Sequence, residues 1–495
     1  MLLSWTSSQV RAAEEPLLTA GVPLMDRAAF ALATRVASLL AGRRGRVVGA
    51  RVVLLVGPGN NGGDALHAGA YLARRGCSVV ALTVDDRVHA GGSAALLAAG
   101  GRVTAVRSGP EAALGAQGAD VVLDGLLGIG ASGGLRGVAA EAVAAVAAGR
   151  TSSTLVVAVD APSGIGVDDG SLPGVVLPAD MTMTFGAAKP GLLLPPAAAR
   201  AGSVEVVDLG LDLSGPPALA RLDDADVAEL WPVPSSDAHK YTRGVLGVIA
   251  GARRYPGAAV LSTTAAVLAG VGMVRYLGDV GDLVVARRPE VVIGVGRVQA
   301  WVFGPGVSPD DASQRRRIEH AFEGVRERGE SAVCDAGALE LLPERVGPHV
   351  VLTPHAGELA RLLSARGERV DRATVEAEPL RWARLAHELT GATVLLKGAV
   401  TVVVGAHGAT YSQAEAPAWL ATAGAGDVLA GLLGALLAGR SEDVQEDPSL
   451  AAALAAAAAL VHGRAAHRAN PGGPLSARAV ATALPETVAA LLALR

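Results

Sequence analysis

Arg51-Val-Val-Leu-Leu-Val-Gly-Pro-Gly-Asn-Asn-Gly-Gly-Asp64 decides the fold of the first half of the chain. An apolar, β-branched run feeds a glycine loop, and a helical stretch follows at once. Gly57, Gly59 and Gly62 satisfy the spacing G-x-G-x-x-G, and Asp85 closes the next apolar run. That is the dinucleotide-binding pattern in its strand–loop–helix setting. Glycines let a phosphate approach the backbone, and the first amides of the helix supply an anion site. Asn60 and Asn61 are unusual company for hydride transfer. Their side chains offer neutral oxygens, suited to a weakly held cation or an amide-bearing ligand.

Outward from this loop the alternation repeats. Apolar runs recur at Ser78–Val84, Asp120–Leu123 and Thr154–Val159, with Met181–Phe185 and Val204–Leu209 after them. Ala-rich helical stretches separate the first four, as in a doubly wound parallel sheet. Leu213–Asp237, with Ser214-Gly-Pro-Pro and Trp231-Pro-Val-Pro-Ser-Ser, breaks the pattern and marks a junction near Leu213. Two domains are expected, 1–213 and 221–495, joined by a linker at 214–220. In the second, strands are expected at Gly244–Ala250, Ala300–Phe303, Ala332–Cys334, Val350–Leu352, Thr393–Leu396 and Thr401–Val404. A helix is expected from Ala258, and a long Ala/Leu helix after Asp427. Both domains read as α/β.

Composition narrows the partners. The 495 residues carry 43 basic and 47 acidic side chains, a net charge of −4, which excludes binding to nucleic acid or membrane surfaces through bulk basicity. The chain is 51% hydrophobic but only 3% aromatic, which excludes disorder and points to helices built of small residues. Cys77 and Cys334 make no disulfide framework and fit a reducing compartment. The longest apolar stretches, Val428–Gly439 and Leu450–Val461, are 12 residues each, short of the roughly 18 that a membrane span needs. Met1-Leu-Leu-Ser-Trp has neither a basic nor an apolar signal region. A cytoplasmic protein is expected, acting on small molecules and forming a homo-oligomer.

Rare residues act as markers. Lys189, Lys240 and Lys397 are the only lysines among the 43 basic residues, and Asn60, Asn61 and Asn470 the only asparagines. Where Arg is used almost everywhere, a retained lysine marks a compact point charge that Arg does not imitate, or composition drift. Two further strand ends carry chemistry: Asp124-Gly-Leu-Leu-Gly-Ile-Gly-Ala-Ser-Gly-Gly134 and Asp160-Ala-Pro-Ser-Gly164. Ligands of an open parallel sheet bind beyond the carboxyl ends of its strands. Asn61, Asp124 and Ser163 would converge there and offer oxygens to one monovalent ion; singly, each reads as a cap or turn residue.

In the second half, Thr422-Ala-Gly-Ala-Gly-Asp-Val-Leu-Ala-Gly431 opens an apolar helix. Amides at such a start stabilise a transferring phosphoryl group, and Asp427 beside them is a general base for a hydroxyl. The alternative is a glycine turn with an aspartate N-cap. Lys397-Gly-Ala-Val-Thr401 is a tight turn whose lysine suits nucleotide phosphates, or is merely exposed. Thr353-Pro-His-Ala-Gly-Glu358 sets His355 at a strand end, while Phe303-Gly-Pro-Gly306 and Tyr255-Pro-Gly-Ala258 are backbone-approach loops. Arg315-Arg-Arg, with Glu319, Glu323 and Glu327, is a solvated helix face.

Asn60-Asn-Gly-Gly-Asp64, the Asp124 loop, Asp160-Ala-Pro-Ser-Gly164 and Thr184-Phe-Gly-Ala-Ala-Lys-Pro-Gly191 together resemble the NAD(P)H-hydrate epimerase family over Val10–Leu213. The resemblance implies a Rossmann-like fold and epimerisation at C6 of the hydrated cofactors NADHX and NADPHX, with a bound K⁺. It assigns the hydrate to Asn60, Asn61, Gly62, Gly63 and Asp64, and to Gly128, Ile129, Gly130, Ala131, Ser132, Gly133 and Gly134. It assigns K⁺ to Asn61, Asp124 and Ser163, makes Asp160 the acid/base, and makes Lys189 its helper. The family has Met-Glu-x-Ala-Gly where this chain has Met25-Asp-Arg-Ala-Ala29, and glycine where it has Ala65.

The Gly-Ala-Gly-Asp loop resembles the ribokinase-like superfamily. His239-Lys-Tyr-Thr-Arg-Gly244, Thr353-Pro-His-Ala-Gly-Glu358 and Lys397-Gly-Ala-Val-Thr401 narrow the resemblance to ADP-dependent NAD(P)H-hydrate dehydratases over Arg221–Arg495. It implies phosphorylation of the C6 hydroxyl at the nucleotide's expense, then loss of phosphate to return NADH or NADPH. By that resemblance Ala258, Gly306, His355 and Asp427 contact the hydrate. Lys397, Gly398, Ala399, Val400, Thr401 and Gly426 contact ADP, which Mg²⁺ accompanies because phosphoryl transfer needs its charge neutralised. Three alternatives stay open: a hydroxymethylpyrimidine- or hydroxyethylthiazole-type kinase in the second half, a non-catalytic dinucleotide-binding module in the first, and an NAD-dependent oxidoreductase.

Overall fold

Val52 to Val56 are buried on both faces, none more than 1% exposed. A continuous apolar run is what a central strand of a parallel sheet requires, since helices cover it above and below. The computed structural model describes residues 1–130, 133–308 and 310–495; Ala131 and Ser132, named above for the hydrate, lie outside the described residues. The chain divides into two compact units, Leu3–Ala218 and Met1–Leu2 with Leu219–Arg495.

A short strand β1 (Leu2–Ser4) opens the chain. The N-terminal unit then builds a sheet from β2 (Arg51–Val56), β3 (Ser78–Thr83), β4 (Arg102–Ala105), β5 (Val121–Gly125), β6 (Leu155–Val159), β7 (Met181–Phe185) and β8 (Ser203–Val207). Their order is β4-β3-β2-β5-β6-β7-β8, every pair parallel. The strand order reverses between β2 and β5, which makes the crevice beyond their carboxyl ends the expected ligand site of a doubly wound sheet. Helices Leu24–Arg44 and Asn60–Arg74 bury Leu32 and Leu66 on one face. Helices Gly109–Ala116 and Gly137–Gly149 bury Ala112 and Val143 on the other. Strand β4 gave no pattern in the sequence because it is an edge strand with mostly exposed side chains.

The C-terminal unit contributes β9 (Leu219–Arg221), β10 (Val245–Ile249), β11 (Met273–Tyr276), β12 (Val292–Ile293), β13 (Ala300–Phe303), β14 (Ser331–Cys334), β15 (Val350–Leu352), β16 (Thr393–Leu396), β17 (Thr401–Val404) and β18 (Thr410–Gln413). They run β9-β18-β17-β16-β15-β14-β13-β10-β11-β12. The pairs β16–β17 and β17–β18 are antiparallel, and the central strands from β16 through β10 to β12 are parallel. The glycine-led helix begins at Ala425, two residues before Asp427, and packs on helix Pro256–Leu268. Gly431 is the point of closest approach: a Cβ there would lie 2.1 Å from the carbonyl oxygen of Ser262. Helix Leu450–Ala469 is long and apolar enough, by length and composition, to cross a membrane, but 83% of its apolar window is buried inside the fold, as befits a core helix.

Candidate functional site

In the N-terminal unit the strand ends of β2, β5 and β6 are neighbours, with Val56 paired to Gly125 and Asp124 to Ala158. Just past β6 the backbone of Asp160 turns into the left-handed region, at φ 64°. A non-glycine residue held there signals local strain that the surroundings must impose. The Asp160 N–H donates to Met183 O at 2.7 Å, and the Ala161 N–H returns to Val159 O at 2.8 Å. The Asp160 carboxylate accepts three hydrogen bonds on Oδ1: from Lys189 Nζ at 2.5 Å, Thr184 Oγ1 at 3.1 Å and the Phe185 N–H at 3.1 Å. Lys189 is 1% exposed. Its remaining protons go to Thr184 Oγ1 at 2.9 Å and Phe185 O at 3.0 Å. A buried ammonium is tolerated only when every donor and the charge are satisfied.

Asp160 opens onto a cavity of about 560 Å³ that is also lined by Arg11, Glu14, Asn60, Asn61, Asp64, Gly128, Ile129 and Gly130. The structure thus brings most of the residues expected to hold the hydrate to one place. Gly62 and Gly63 do not line it. A Cβ at Gly62 would lie 2.2 Å from Gly57 O, and one at Gly57 would lie 1.9 Å from Leu126 O. Those two glycines of the G-x-G-x-x-G pattern serve backbone-to-backbone packing of the helix start against the β2 and β5 loops. Gly134 packs likewise against the backbone of Pro173 and Gly174. Asp85 ends beside Arg87 at 3.4 Å.

Asn61, Asp124 and Ser163 also converge. Ser163 donates from Oγ to Asp124 Oδ1 at 2.5 Å and from its N–H to Oδ2 at 2.8 Å. The Leu127 N–H donates to Ser163 Oγ at 2.9 Å, and Asn61 Nδ2 to Leu127 O at 2.9 Å. Asp124 is fully buried and has no cationic side chain beside it among the described residues. Burial pushes its carboxyl upward, and the hydrogen bonds from Ser163 oppose that shift. A buried carboxyl with the Ser163 hydroxyl beside it, and Asn61 one carbonyl away at Leu127 O, is a donor set that fits a monovalent cation. Asp64 is likewise pushed well above the usual carboxylate range, first by burial and then by Asp160 and Glu14, with Lys189 opposing. Glu14 is raised by burial; Lys189 opposes the shift and Asp160 adds to it. Sequence reasoning missed Arg11 and Glu14, because only the packing of helix Ser7–Thr19 turns them into the cavity.

The second site lies at the strand ends of the C-terminal unit. Gly424, at φ 87°, precedes helix Ala425–Gly439, and Asp427 sits in its first turn rather than capping it. Lys397, just past β16, donates to Asp335 Oδ1 at 2.7 Å and lies 3.7 Å from Glu358 Oε2. Thr353 Oγ1 donates to the same Asp335 oxygen at 2.9 Å. A Cβ at Gly426 would lie 3.5 Å from Lys397 Nζ and 3.8 Å from Asp335 Oδ2, so the glycine loop, the lysine and the carboxylates form one cluster. Burial and then Asp335 push the Asp427 carboxyl up to about 7, with Lys397 opposing. Burial alone would lower Lys397, but Asp335 and Glu358 hold it above its ordinary value.

Ala258 and Gly306 meet, since a Cβ at Gly306 would lie 2.6 Å from that of Ala258. His355 caps helix Ala356–Ser364: its Nδ1 accepts from the Glu358 N–H at 3.2 Å, while Glu358 Oε2 accepts from the His355 N–H at 2.8 Å. Gly398 and Ala399 are exposed in the turn between β16 and β17, which Lys397, Val400 and Thr401 complete. Asp335 was missed although it follows β14 as Asp124 and Asp160 end their strands; the same strand-end rule would have found it. Of the rare residues, Lys240 is exposed over the Tyr241 ring, and Asn470 donates locally to Pro474 O.

The comparisons follow the two units. The NAD(P)H-hydrate dehydratase family matches residues 246–476, and the YjeF-related protein N-terminus matches residues 22–191. The chain is 44% identical over 446 residues to the bifunctional NAD(P)H-hydrate repair enzyme Nnr of Mycobacterium tuberculosis, covering 87% of this chain and 88% of that one. It is 45% identical over 224 residues to the NAD(P)H-hydrate epimerase of Clavibacter michiganensis subsp. michiganensis, covering 44% of this chain and 94% of that one. The solved ADP/ATP-dependent NAD(P)H-hydrate dehydratase from Bacillus subtilis, co-crystallized with ATP/Mg²⁺, aligns at 26% identity with a TM-score of 0.47, covering 54% of this chain and 97% of that one. The chain belongs to the family of bifunctional NAD(P)H-hydrate repair enzymes.

Proposed function

We propose that this chain repairs hydrated nicotinamide cofactors in two steps. The N-terminal unit interconverts the R and S epimers of NADHX and NADPHX, and the C-terminal unit dehydrates the S form at the expense of ADP. One observation carries the reading: a single chain holds two carboxylates of different character, one just past a strand and one in the first turn of a helix. Asp160 is fixed by a buried lysine, whereas Asp427 is raised to about 7 at a glycine-led helix start. The first is oriented by three hydrogen bonds to one of its oxygens; the second is poised to take a hydroxyl proton near neutrality.

In the N-terminal unit Asp160 draws the proton from the C6 hydroxyl through the oxygen that Lys189 leaves free. Asn61, Asp124 and Ser163 are the residues that would hold K⁺, whose charge would offset that of the buried Asp124. In the C-terminal unit Asp427 takes the proton of the C6 hydroxyl as its oxygen attacks the terminal phosphorus of ADP. The bond from that phosphorus to the bridging oxygen breaks, and AMP leaves with the electron pair. Helix amides after Gly424 and the ammonium of Lys397 face the charge that develops. The C6–O bond then breaks with its electrons on phosphate, a proton leaves C5, and the C5–C6 double bond of the dihydronicotinamide returns.

Asp335 and Glu358 are the side chains that would hold Mg²⁺. No cluster of three or more metal-ligating side chains exists among the described residues, so the ion would be shared with nucleotide phosphates, as Mg²⁺ commonly is. When bound, it neutralises phosphate charge. We place the activity in the cytoplasm, in a homo-oligomer.

The test uses a mixture of R- and S-NADHX with purified protein, Mg²⁺ and K⁺, following the return of dihydronicotinamide absorbance with ADP, with ATP and with no nucleotide. Complete, ADP-dependent recovery of both epimers is expected. Recovery that halts when the S form is spent would overturn the epimerase half, and no recovery with any nucleotide would overturn the whole reading.

A further inference from the structure

Three carboxyl groups share the 560 Å³ cavity of the N-terminal unit: Glu14, Asp64 and Asp160. They face the cations Arg11 and Lys189, and Lys189 is already committed to Asp160. Arg11 donates from Nε to its own helix at Ser7 O, at 3.2 Å. Like charges in one partly buried space raise one another's hold on a proton, and burial adds to this at Asp64 and Glu14. Asp64 is the group that geometry singles out. It rises from the first turns of helix Asn60–Arg74, a rigid element, and has no hydrogen-bond or ion-pair partner among the described residues. Glu14 comes from helix Ser7–Thr19, and the wall opposite is apolar or glycine, from Met25 and Ala28 to Leu126–Gly130. The charged groups felt by Asp64 are therefore Asp160, Glu14 and Lys189.

We propose that Asp64 is the proton donor that completes epimerisation, opposite Asp160 as the base. This rests on the reading of the N-terminal unit as an epimerase. The C6 hydroxyl of the hydrate sits on a carbon bonded to the ring nitrogen N1, so the two faces of C6 interconvert by opening that bond. Asp160 takes the hydroxyl proton, the oxygen becomes a carbonyl, and the C6–N1 bond breaks with its electron pair on N1. Asp64 delivers its proton to N1. Rotation of the free aldehyde about the C5–C6 bond exposes its other face. N1 adds back, returning its proton to Asp64 while Asp160 returns the other to oxygen. Atoms and electrons balance with no redox partner. Two acid/base groups in opposite protonation states are what a reversible opening needs, and a pair of carboxyls in unlike environments supplies them.

The experiment uses the full chain without nucleotide, so that dehydration is silent. Purified S-NADHX is followed to the R form by chromatography across pH for wild type, Asp64→Asn, Asp64→Glu and Glu14→Gln. Asp64→Asn is expected to lower kcat about 10²–10⁴-fold with little change in KM. It should also abolish the loss of kcat that wild type shows at high pH, where Asp64 ionises. Asp64→Glu should restore that alkaline limb in part, and Glu14→Gln should keep it. The wild-type-minus-Asp64→Asn difference infrared spectrum at neutral pH should show a protonated carboxyl C=O band, separate from that of Asp427, which both proteins share. Asp64→Asn turning over like wild type, or losing rate with the alkaline limb intact, overturns the proposal. So does loss of that limb in Glu14→Gln alone. Wild type without turnover above the uncatalysed background overturns the epimerase reading itself, a result distinct from any of these.

Discussion

Lys189 Nζ donates to Asp160 Oδ1 at 2.5 Å inside the N-terminal unit, the lysine 1% exposed and the aspartate at a φ of 64°. The pair links stability to the proposed function, because the ion pair sits at the strained backbone turn and orients the carboxylate proposed as the base. Removing one partner leaves a buried charge with nothing to balance it. Lys189→Met should therefore destabilise the unit by about 3–5 kcal/mol, while Lys189→Met with Asp160→Asn should recover part of that loss. Denaturant unfolding of the two variants checks the order.

Gly57 tests the backbone packing beneath the loop. A Cβ there would sit 1.9 Å from Leu126 O, a contact no side-chain adjustment relieves. Gly57→Ala should cost about 1–3 kcal/mol or more and weaken epimerisation, whereas Gly59→Ala, with open space around its Cβ, should be tolerated by the fold. Thermal unfolding with an epimerase assay separates the two.

Asp124 and Ser163 predict an ion effect. A cation bound only by the folded state stabilises it in proportion to the logarithm of its concentration. The unfolding temperature of the N-terminal unit should rise with added K⁺ more than with an equal concentration of a tetraalkylammonium salt. Asp124→Asn should lose that difference. Calorimetry in matched ionic strength gives the answer.

Asp427 predicts opposite responses of activity and stability to pH. Its carboxyl lies at about 7 in the fold and near 3.8 when unfolded, chiefly because burial disfavours the charge. Dehydration should rise with pH through about 7, as the base form appears. The folded state binds this proton more tightly than the unfolded chain, so stability falls as pH climbs from about 4 to 7. Asp427→Asn should abolish dehydration yet stabilise the protein above pH 7, by about 4 kcal/mol at most.

Lys397 separates nucleotide from hydrate. Lys397→Met should raise the KM for ADP, lower kcat, and leave Asp335 without its ammonium partner, while epimerisation in the other unit is unaffected. Parallel assays of the two activities on one preparation check this.

The chain's own letters determined the alternating α/β architecture and singled out the residues proposed to bear the chemistry. Strands buried on both faces are continuous apolar runs, so β2, β7, β13, β15, β16 and β17 were legible to the residue. Strands β4, β11 and β12 were not, because exposed or half-exposed side chains leave no such run, and β18 was not because its mostly buried Thr-Tyr-Ser-Gln is polar. Asp160, Asp427, Lys189 and Lys397 stood out because a strand end beside glycine, or a rare lysine in an arginine-rich chain, is a local feature.

What only the tertiary structure decided is which of these groups are neighbours and in what state of charge. Glu14 and Asp64 share a cavity across the sheet's end, and Asp335 meets Lys397 from a strand 62 residues earlier. Burial and Coulomb interaction act through space, not along the chain. The upward shifts of Asp64 and Asp427, and the division of labour between glycines that pack backbone and glycines that line the cavity, exist only once the fold has brought those groups together.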